Sequence, residues 1–166
     1  RLSVGAAIVM FDGRGRWAAG TIAVATKSSV QVAVNEVVDV PRPVPALTLA
    51  VAMPKGPRQD VLIEKCAELG AAAIQPLVTA RSVAGVSDHK RDKWRRATIE
   101  AAKQSGQCWL PNLLPSLGLD ECLQQVPSFD LVLAAVIAPD EKPAGILDII
   151  DRFGRARNIL ALVGPE

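Results

Sequence analysis

Residues 47–78, which read LTLAVAMPKGPRQDVLIEKCAELGAAAIQPLV, decide the fold. The stretch opens with Leu47–Met53, an uninterrupted apolar run with the length of a strand that is buried on both faces. Arg58–Leu69 carries its apolar residues on one helical face, and Gly70 stands where a helix commonly ends. Ala72–Val78 is a second apolar run. A strand, a helix and a strand in this order predict a parallel βαβ unit.

The same alternation continues to the end of the chain. The remaining predicted elements are a helix at Asp88–Ser105 that ends at Gly106, a short helix at Leu119–Val126, a strand at Leu131–Ile137, a helix at Ile146–Phe153 and a strand at Ile159–Val163. This order predicts an α/β fold with a mostly parallel sheet and helices on both of its faces. The chain stops directly after the last strand, where a site of such a sheet begins. We therefore expect a truncation or a missing tail.

A different pattern precedes this domain. Three short runs rich in Val, Ala and Thr predict antiparallel strands, at Val4–Phe11, Trp17–Thr26 and Val30–Val38. Together they suggest part of a small barrel. Pro41–Pro45 marks the boundary, because proline cannot donate to a sheet ladder and stiffens a connection. We therefore expect two domains, one of residues 1–45 including the linker and one of residues 46–166.

The composition argues against several classes of protein. The 166 residues are 49% hydrophobic and 22% charged, which is ordinary globular composition. No apolar run approaches the length of a membrane span. His89 is the single histidine, which removes histidine-based metal sites and argues against a Ser-His-Asp triad. The three cysteines lack metal-ligand spacing and indicate reduced thiols in the cytoplasm.

Charge is unevenly distributed, although the net charge is only +2. Residues 54–110 carry ten basic and six acidic groups, whereas the last third of the chain carries four basic and eight acidic ones. The middle third is therefore where a polyanion would bind. However, Asp92 and Arg96, and again Arg96 and Glu100, have the i,i+4 spacing of ion pairs on an ordinary exposed helix. The sequence alone favours that interpretation over contact with RNA.

Two segments follow predicted strands at the edge where α/β sheets bind ligands. Pro54–Arg58 opens a helix, whose backbone N–H groups could hold a phosphate with help from the charges of Lys55 and Arg58. A plain turn is the alternative. Arg81 follows the next strand, where its position favours a function, although most arginines are simple surface residues. Gln104-Ser105 ends the long helix with groups suited to a base or a ribose, or to capping.

Taken together, these pieces resemble one family. The segments Pro54-Lys55-Gly56, Glu64-Lys65-Cys66-Ala67-Glu68-Leu69-Gly70, Ile74-Gln75-Pro76-Leu77 and Arg81-Ser82 are similar to the PKG, KxxELG, IxPL and RS motifs of the RsmE family. Further matches are Phe11-Asp12-Gly13, Trp94, Glu100-Ala101-Ala102, Gln104-Ser105-Gly106, Pro111 and Gly164-Pro165-Glu166. The matches follow the family's order across nearly the whole chain. RsmE proteins are 16S ribosomal RNA uracil-N3 methyltransferases of the SPOUT superfamily.

The resemblance implies a fold and an activity. The fold would be a small PUA-like antiparallel β-barrel, followed by a SPOUT-type α/β methyltransferase domain that is truncated at its trefoil knot. The activity would be methyl transfer from S-adenosylmethionine to N3 of a uridine in 16S ribosomal RNA or the small ribosomal subunit. The enzyme would be a cytoplasmic homodimer that needs no metal, and the 166-residue chain alone would be inactive.

The resemblance also implies roles for individual residues. Arg81 would stabilise negative charge on the uracil oxygens, and Glu100 or Glu68 would accept the N3 proton. The cofactor would be bound by Ile137, Ala138, Pro139, Gly164, Pro165 and Glu166, and the RNA by Lys55, Arg58, Arg95, Arg96, Gln104 and Ser105. The chain departs from the family at Gln107, where an arginine is usual, and at residues 137–139, where the family often has a His-Pro-Glu-like loop.

Three other functions stay open at this point. A non-catalytic RNA-binding adaptor would have kept the barrel and lost the knot, so it would bind RNA but not the cofactor. A methyltransferase of the same superfamily could act on transfer RNA instead. A nucleotide-binding α/β regulator is disfavoured, because the sequence has no complete glycine-rich loop.

Overall fold

The computed structural model describes residues 3–79, 86–135, 145, 147–149, 154 and 156–164. Within these ranges the chain forms a three-stranded antiparallel sheet and a six-stranded parallel sheet. The elements are β1 (Ala7–Phe11), β2 (Arg16–Ala25), β3 (Val30–Asp39), β4 (Ala46–Ala52), α1 (Arg58–Glu68), β5 (Ala73–Val78), α2 (Asp88–Ser105), β6 (Asn112–Leu113), β7 (Leu117–Gly118), α3 (Leu119–Gln124), β8 (Leu131–Ala135) and β9 (Asn158–Val163), with a 3₁₀ turn at Val126–Ser128.

The larger sheet has the topology of an α/β protein. Its strands run in the order β6-β5-β4-β9-β8, and β7 pairs with the carboxyl end of β5. Parallel neighbours need a crossover connection, which α1 supplies between β4 and β5 and α2 supplies between β5 and β6. The α/β class predicted from the alternation of strands and helices is confirmed.

Helices cover both faces of the larger sheet, as predicted. Successive residues of a strand point to opposite faces, and the neighbours Ala50 and Val51 belong to two different core clusters. One cluster packs Val51, Ile63, Ile74 and Trp94 beneath α1 and α2. The other packs Ala50, Leu77, Cys122 and Leu160 beneath α3. Burial of each Val, Ile or Leu side chain in these clusters stabilises the fold by about 1.5–3 kcal/mol. The two clusters therefore hold the three helices to the sheet.

Most element boundaries predicted from sequence agree with the structure to within a few residues. The short helix α3 is an exception, because it ends at Gln124 and gives way to a 3₁₀ turn that contains Pro127. The predicted strand at Leu131–Ile137 is described only as far as Ala135. Leu147–Ile149, within the predicted helix at Ile146–Phe153, is helical. The two-residue strands β6 and β7 were not predicted.

The small sheet is an open meander in which β2 pairs with both β1 and β3. Among the described residues it is an open sheet, so the antiparallel strands are confirmed and the barrel stays a prediction. The small sheet docks onto the rest of the protein through Trp109. The indole Nε1 of Trp109 donates to the carbonyl oxygen of Val40 (3.0 Å), and the guanidinium of Arg42 lies 5.4 Å from the ring centroid. The Gly15 N–H donates to the carbonyl oxygen of Cys108 (3.0 Å).

Asp130 fixes the start of β8 against the start of β9. Its Oδ2 accepts hydrogen bonds from the backbone N–H groups of Asn158 (2.9 Å) and Arg157 (2.7 Å). These bonds, above all the one from Asn158, lower the pKa of the Asp130 carboxyl below its ordinary value. The pKa of Asp130 is therefore lower in the folded protein than in the unfolded chain. The ionised carboxylate stabilises the fold at a pH above the unfolded pKa, and this stabilisation is lost as the pH falls through the folded pKa.

We therefore expect Asp130→Asn to flatten the loss of stability below about pH 4. An asparagine oxygen can still accept a hydrogen bond but does not titrate in this range. The measurement is urea denaturation of both proteins from pH 3 to pH 7. Parallel stability curves for the two proteins over that range would contradict the assignment.

Candidate active site

The carboxyl ends of four strands meet at one edge of the larger sheet. Ala52 of β4 is in register with Leu77 of β5, Val51 with Val163 of β9, and Val163 with Ala135 of β8. Ligands of open α/β sheets bind beyond this edge, where successive loops leave the strands. We call it the carboxyl edge. The four strands end here at residues 52, 78, 135 and 163.

The residues predicted to bind a cofactor follow β8 and β9 at this edge. Ile137, Ala138, Pro139, Pro165 and Glu166 lie outside the described residues, so their part in the site stays a prediction. Gly164 is described and exposed, and a Cβ added there would meet none of the described residues within 4 Å. The described residues therefore leave room beside the end of β9, which fits a loop that approaches a ligand closely.

The loop after β4 places two predicted RNA ligands at the same edge. Lys55 and Arg58 are both exposed. Gly56 has a φ of +65°, a left-handed conformation that favours glycine and turns the chain into α1. Pro57 occupies the N-cap and makes no side-chain capping bond. The first N–H groups of α1 are thus not capped by a side chain and face the edge with the charge of the helix N-terminus.

Helices α1 and α2 lie side by side and run in the same direction, away from the carboxyl edge. Near their starts, Lys93 Nζ of α2 lies 2.7 Å from Asp60 Oδ2 of α1. Near their ends, Gln107 Nε2 donates to the carbonyl oxygen of Glu68 (3.3 Å). A residue late in either helix is therefore far from the carboxyl edge. At 1.5 Å per residue, the 11 residues of α1 span about 16 Å.

This direction separates the predicted site residues into two groups. Glu68 is the last residue of α1 and lies at the amino edge of the sheet, where its carboxylate pairs with Lys65 (2.7 Å). Gln104 and Ser105 end α2, and the Ser105 hydroxyl donates to the carbonyl oxygen of Ala101 (2.9 Å) in the preceding turn of the same helix. The structure does not bring these three residues to the carboxyl edge with Lys55. Arg81 lies outside the described residues, and its role stays a prediction.

The ion pairs predicted along α2 are wrong. Glu100 pairs with Lys103 (2.6 Å) instead of Arg96, and the Arg96 Nε donates to the backbone oxygen of Asp92 (3.3 Å) instead of its carboxylate. On a helix surface, residues three and four positions apart are both close enough to form an ion pair. Lys103 can therefore pair with Glu100 as readily as Arg96 can. Glu100 also lies about 10 Å further along α2 than Lys93, between the two edges.

Arg95 and Arg96 do not share one surface. Successive residues of a helix are about 100° apart around its axis. Arg95 lines a polar groove of about 380 Å³ between α2 and the turn that joins β1 to β2, and Arg96 is not among its lining residues. Two further arginines, Arg14 and Arg91, line the groove and were missed in the sequence. The charged turn Gly13-Arg14-Gly15 was the available signal, but only the docking of the small sheet brings it to α2.

In the described part of the chain, no helix is long and apolar enough to cross a membrane. The same residues contain no group of three His, Cys, Asp or Glu side chains placed to hold a metal ion.

The fold and the site define an α/β protein whose parallel sheet presents an open ligand edge, with a small antiparallel sheet docked beside it. The chain belongs to the RNA methyltransferase domain family, whose model matches residues 40–166, and the resemblance to the RsmE proteins is confirmed.

Three relatives illustrate the similarity. The ribosomal RNA small subunit methyltransferase E of Synechocystis sp. is 37% identical over 129 residues, which make up 76% of this chain and 41% of the relative. The protein of the same name from Bacillus subtilis is 29% identical over 124 residues, 71% of this chain and 48% of the relative. The chain thus spans less than half the length of these two curated relatives. The solved structure of the Neisseria gonorrhoeae protein of that name, bound to S-adenosyl methionine, superposes with a TM-score of 0.75 at 29% identity over 99% of this chain and 67% of that one.

Proposed function

We propose that the protein transfers a methyl group from S-adenosylmethionine to N3 of a uridine in 16S ribosomal RNA. The observation that carries the proposal is the register of β4, β9 and β8, whose carboxyl ends lie next to one another. The family's cofactor loop resembles Gly164-Pro165-Glu166, which begins at this edge. The Neisseria gonorrhoeae relative, with bound S-adenosyl methionine, supports the same cofactor here.

The chain's own residues would orient the base and stabilise charge. S-adenosylmethionine supplies an activated methyl group on a positively charged sulfur, and the N3–carbon bond forms as the carbon–sulfur bond breaks. N3 of uracil carries a proton that must leave, and its loss puts negative charge on the two uracil oxygens. Arg81 follows β5 and Lys55 follows β4, so both cations arise from neighbouring strand ends. We assign Arg81 to the uracil oxygens and Lys55 to a phosphate of the RNA.

Glu100 and Glu68 were the candidates for the proton acceptor. The place of Glu68 at the end of α1 and its pairing with Lys65 argue against that role within one chain. Glu100 lies in the middle of α2 and is held by Lys103, so it too has a competing partner. The acceptor stays a prediction.

The rest of the family's architecture belongs to the same proposal. It comprises a PUA-like barrel, a C-terminal trefoil knot that holds the cofactor, a homodimer with a shared active site, and a location in the cytoplasm. Light scattering of the protein expressed from its complete reading frame is expected to give twice the mass of one chain. A monomer would argue against a shared site.

Methylation of defective ribosomal subunits tests the proposed reaction. Small subunits purified from a Bacillus subtilis strain that lacks its relative are incubated with S-adenosylmethionine and the protein from its complete reading frame. We expect one 3-methyluridine per subunit, identified by mass spectrometry of the digested RNA against standards methylated at C5 or at the 2′ oxygen. Methylation of transfer RNA alone would favour the transfer RNA alternative. Binding of RNA without methyl transfer would favour the non-catalytic adaptor.

Arg81→Ala is expected to slow methyl transfer by more than tenfold at saturating RNA, because a cation no longer offsets charge that develops only during transfer. The affinity for RNA should change less than the rate. Single-turnover methylation combined with RNA titration separates the two quantities. Arg95→Ala is the matched comparison and should show the opposite split. A loss of affinity alone in Arg81→Ala would assign Arg81 to binding instead.

A further inference from the structure

Three arginines converge on the groove between the two sheets. Arg14 comes from the turn between β1 and β2, whereas Arg91 and Arg95 lie one helical turn apart on α2. The remaining lining residues are Asp12, Gly13, Asp92, Thr98, Leu110, Pro111, Asn112 and Leu113. The groove holds about 380 Å³ and is open to solvent. Its two walls come from different domains, which the contacts of Trp109 hold in place.

The donors of these arginines are largely unused. In the described part of the chain, neither Arg14 nor Arg95 lies within ion-pair distance of a carboxylate. The Arg91 Nε is buried without a hydrogen-bond partner among the described residues, and its Nη1 lies 3.9 Å from Asp88. A buried donor that lacks an acceptor is costly, so Arg91 leaves capacity for a ligand that accepts hydrogen bonds.

The acidic residues of the groove do not occupy the free donors of these arginines. The Asp12 carboxylate already accepts the backbone N–H groups of Arg14 (2.7 Å) and Arg16 (3.1 Å). These bonds lower the pKa of Asp12, so it stays ionised as part of the turn. Asp92 is exposed on the rim. Three guanidinium groups therefore face two carboxylates, of which one is occupied by backbone groups.

We propose that this groove binds the phosphodiester backbone of the RNA substrate, with Arg14 and Arg95 as direct phosphate ligands and Arg91 behind them. The proposal rests on the function proposed above and gives the small sheet a specific role in it. Guanidinium groups match the geometry of phosphate oxygens and bind them through paired hydrogen bonds. A groove that is open to solvent suits one stretch of a longer strand, because it need not enclose the neighbouring nucleotides. The carboxyl edge would then select the base, while the groove fixes the register of the strand.

The groove predicts different effects for two adjacent arginines that carry the same charge. Arg95 lines it and Arg96 does not. Arg95→Ala should therefore weaken binding of RNA more than Arg96→Ala, although each removes one positive charge from the same turn of α2.

The experiment measures RNA affinity against salt for Arg14→Ala, Arg95→Ala and the double variant. Each single change is expected to weaken binding by about tenfold and to reduce the slope of log K against log salt by about one. In the double variant this slope should fall by about two. Lys27→Ala in the small sheet and Lys103→Ala in α2 are charge-matched controls that lie outside the groove, and they should keep the wild-type slope.

Two further readouts identify the ligand and separate this proposal from the function. Inorganic phosphate should compete with RNA only at high millimolar concentration, because a single phosphate lacks the neighbouring contacts. Calorimetric binding of S-adenosylmethionine should be the same in all variants. If both arginine variants kept the wild-type RNA affinity and salt slope, the groove would not be the site that binds the RNA backbone. Methylation by the wild-type protein would in that case still support the proposed function. Equal losses in Arg95→Ala and Lys103→Ala would also overturn it.

Discussion

Trp94→Ala is expected to lower the free energy of unfolding by about 3–5 kcal/mol. The Trp94 side chain is 1% exposed and is among the largest fully buried ones in the structure. It projects from α2 into the cluster that contains Val51, Ile63 and Ile74, so it joins α2 to α1 and to two strands. Removing the indole leaves a cavity in the layer that holds both helices against the sheet. A loss of this size approaches the whole stability of many domains.

Trp94→Phe is the matched control for this prediction. The Trp94 Nε1 has no hydrogen-bond partner among the described residues, so phenylalanine removes volume without breaking a bond. We expect a loss of about 1–2 kcal/mol. Urea denaturation followed by circular dichroism is the measurement, because fluorescence would itself change with the tryptophan. An unchanged m-value shows that the folded and unfolded states are comparable. A phenylalanine variant as unstable as the alanine variant would contradict the expectation that the loss follows the volume removed from the core.

The larger sheet could be predicted because its central strands are buried on both faces. Leu47–Met53 and Ile159–Val163 are apolar without interruption, and such runs indicate the interior strands of a parallel sheet. The strands β6 and β7 were missed for a physical reason. Each has two residues, which is too short for any period to show, and they lie in a proline-rich segment. They form because β5 presents an open edge, and that is a tertiary property.

The site could be predicted only as far as chain direction determines it. Residues that follow a parallel strand gather at the carboxyl edge, and this rule predicts the place of Lys55 and Gly164. The same rule sends a crossover helix back to the amino edge, so it separates Glu68 and Ser105 from Lys55. The groove lined by Arg14, Arg91 and Arg95 could not be predicted from the sequence, because it depends on contacts between residues about 70 positions apart, such as Val40 and Trp109.

Gly15→Ala is expected to destabilise the docking of the small sheet by roughly 2–5 kcal/mol. Gly15 has a φ of +93°, where a side chain costs about 1–2 kcal/mol. A Cβ there would also collide with the indole ring of Trp109, and overpacking of this kind typically costs about 1–3 kcal/mol. The backbone of Gly15 donates to Cys108 (3.0 Å) and accepts from Val40 (2.7 Å), so a shift breaks bonds on both sides of the junction.

Hydrogen exchange locates the expected effect. Amides of β1, β2 and β3 should lose protection in Gly15→Ala, whereas those of β4 and β5 should keep theirs, because local opening need not involve the larger core. Gly5→Ala is the matched control: Gly5 also has a positive φ (+88°) in the N-terminal region, but none of the described residues lies within 4 Å of its Cβ position. It therefore reports the backbone strain without the collision.

The same variant links the stability of the junction to recognition of RNA. Arg14 is the neighbour of Gly15, so loosening the junction removes Arg14 from the groove without changing the charge of the protein. Gly15→Ala should weaken RNA binding about as much as Arg14→Ala, and combining the two should add little, since both remove the same contact. Gly5→Ala should leave the affinity close to that of the wild type. Equal effects of the two glycine substitutions on exchange and on affinity would show that backbone strain, and not the packing of Trp109 against Gly15, holds the two sheets together.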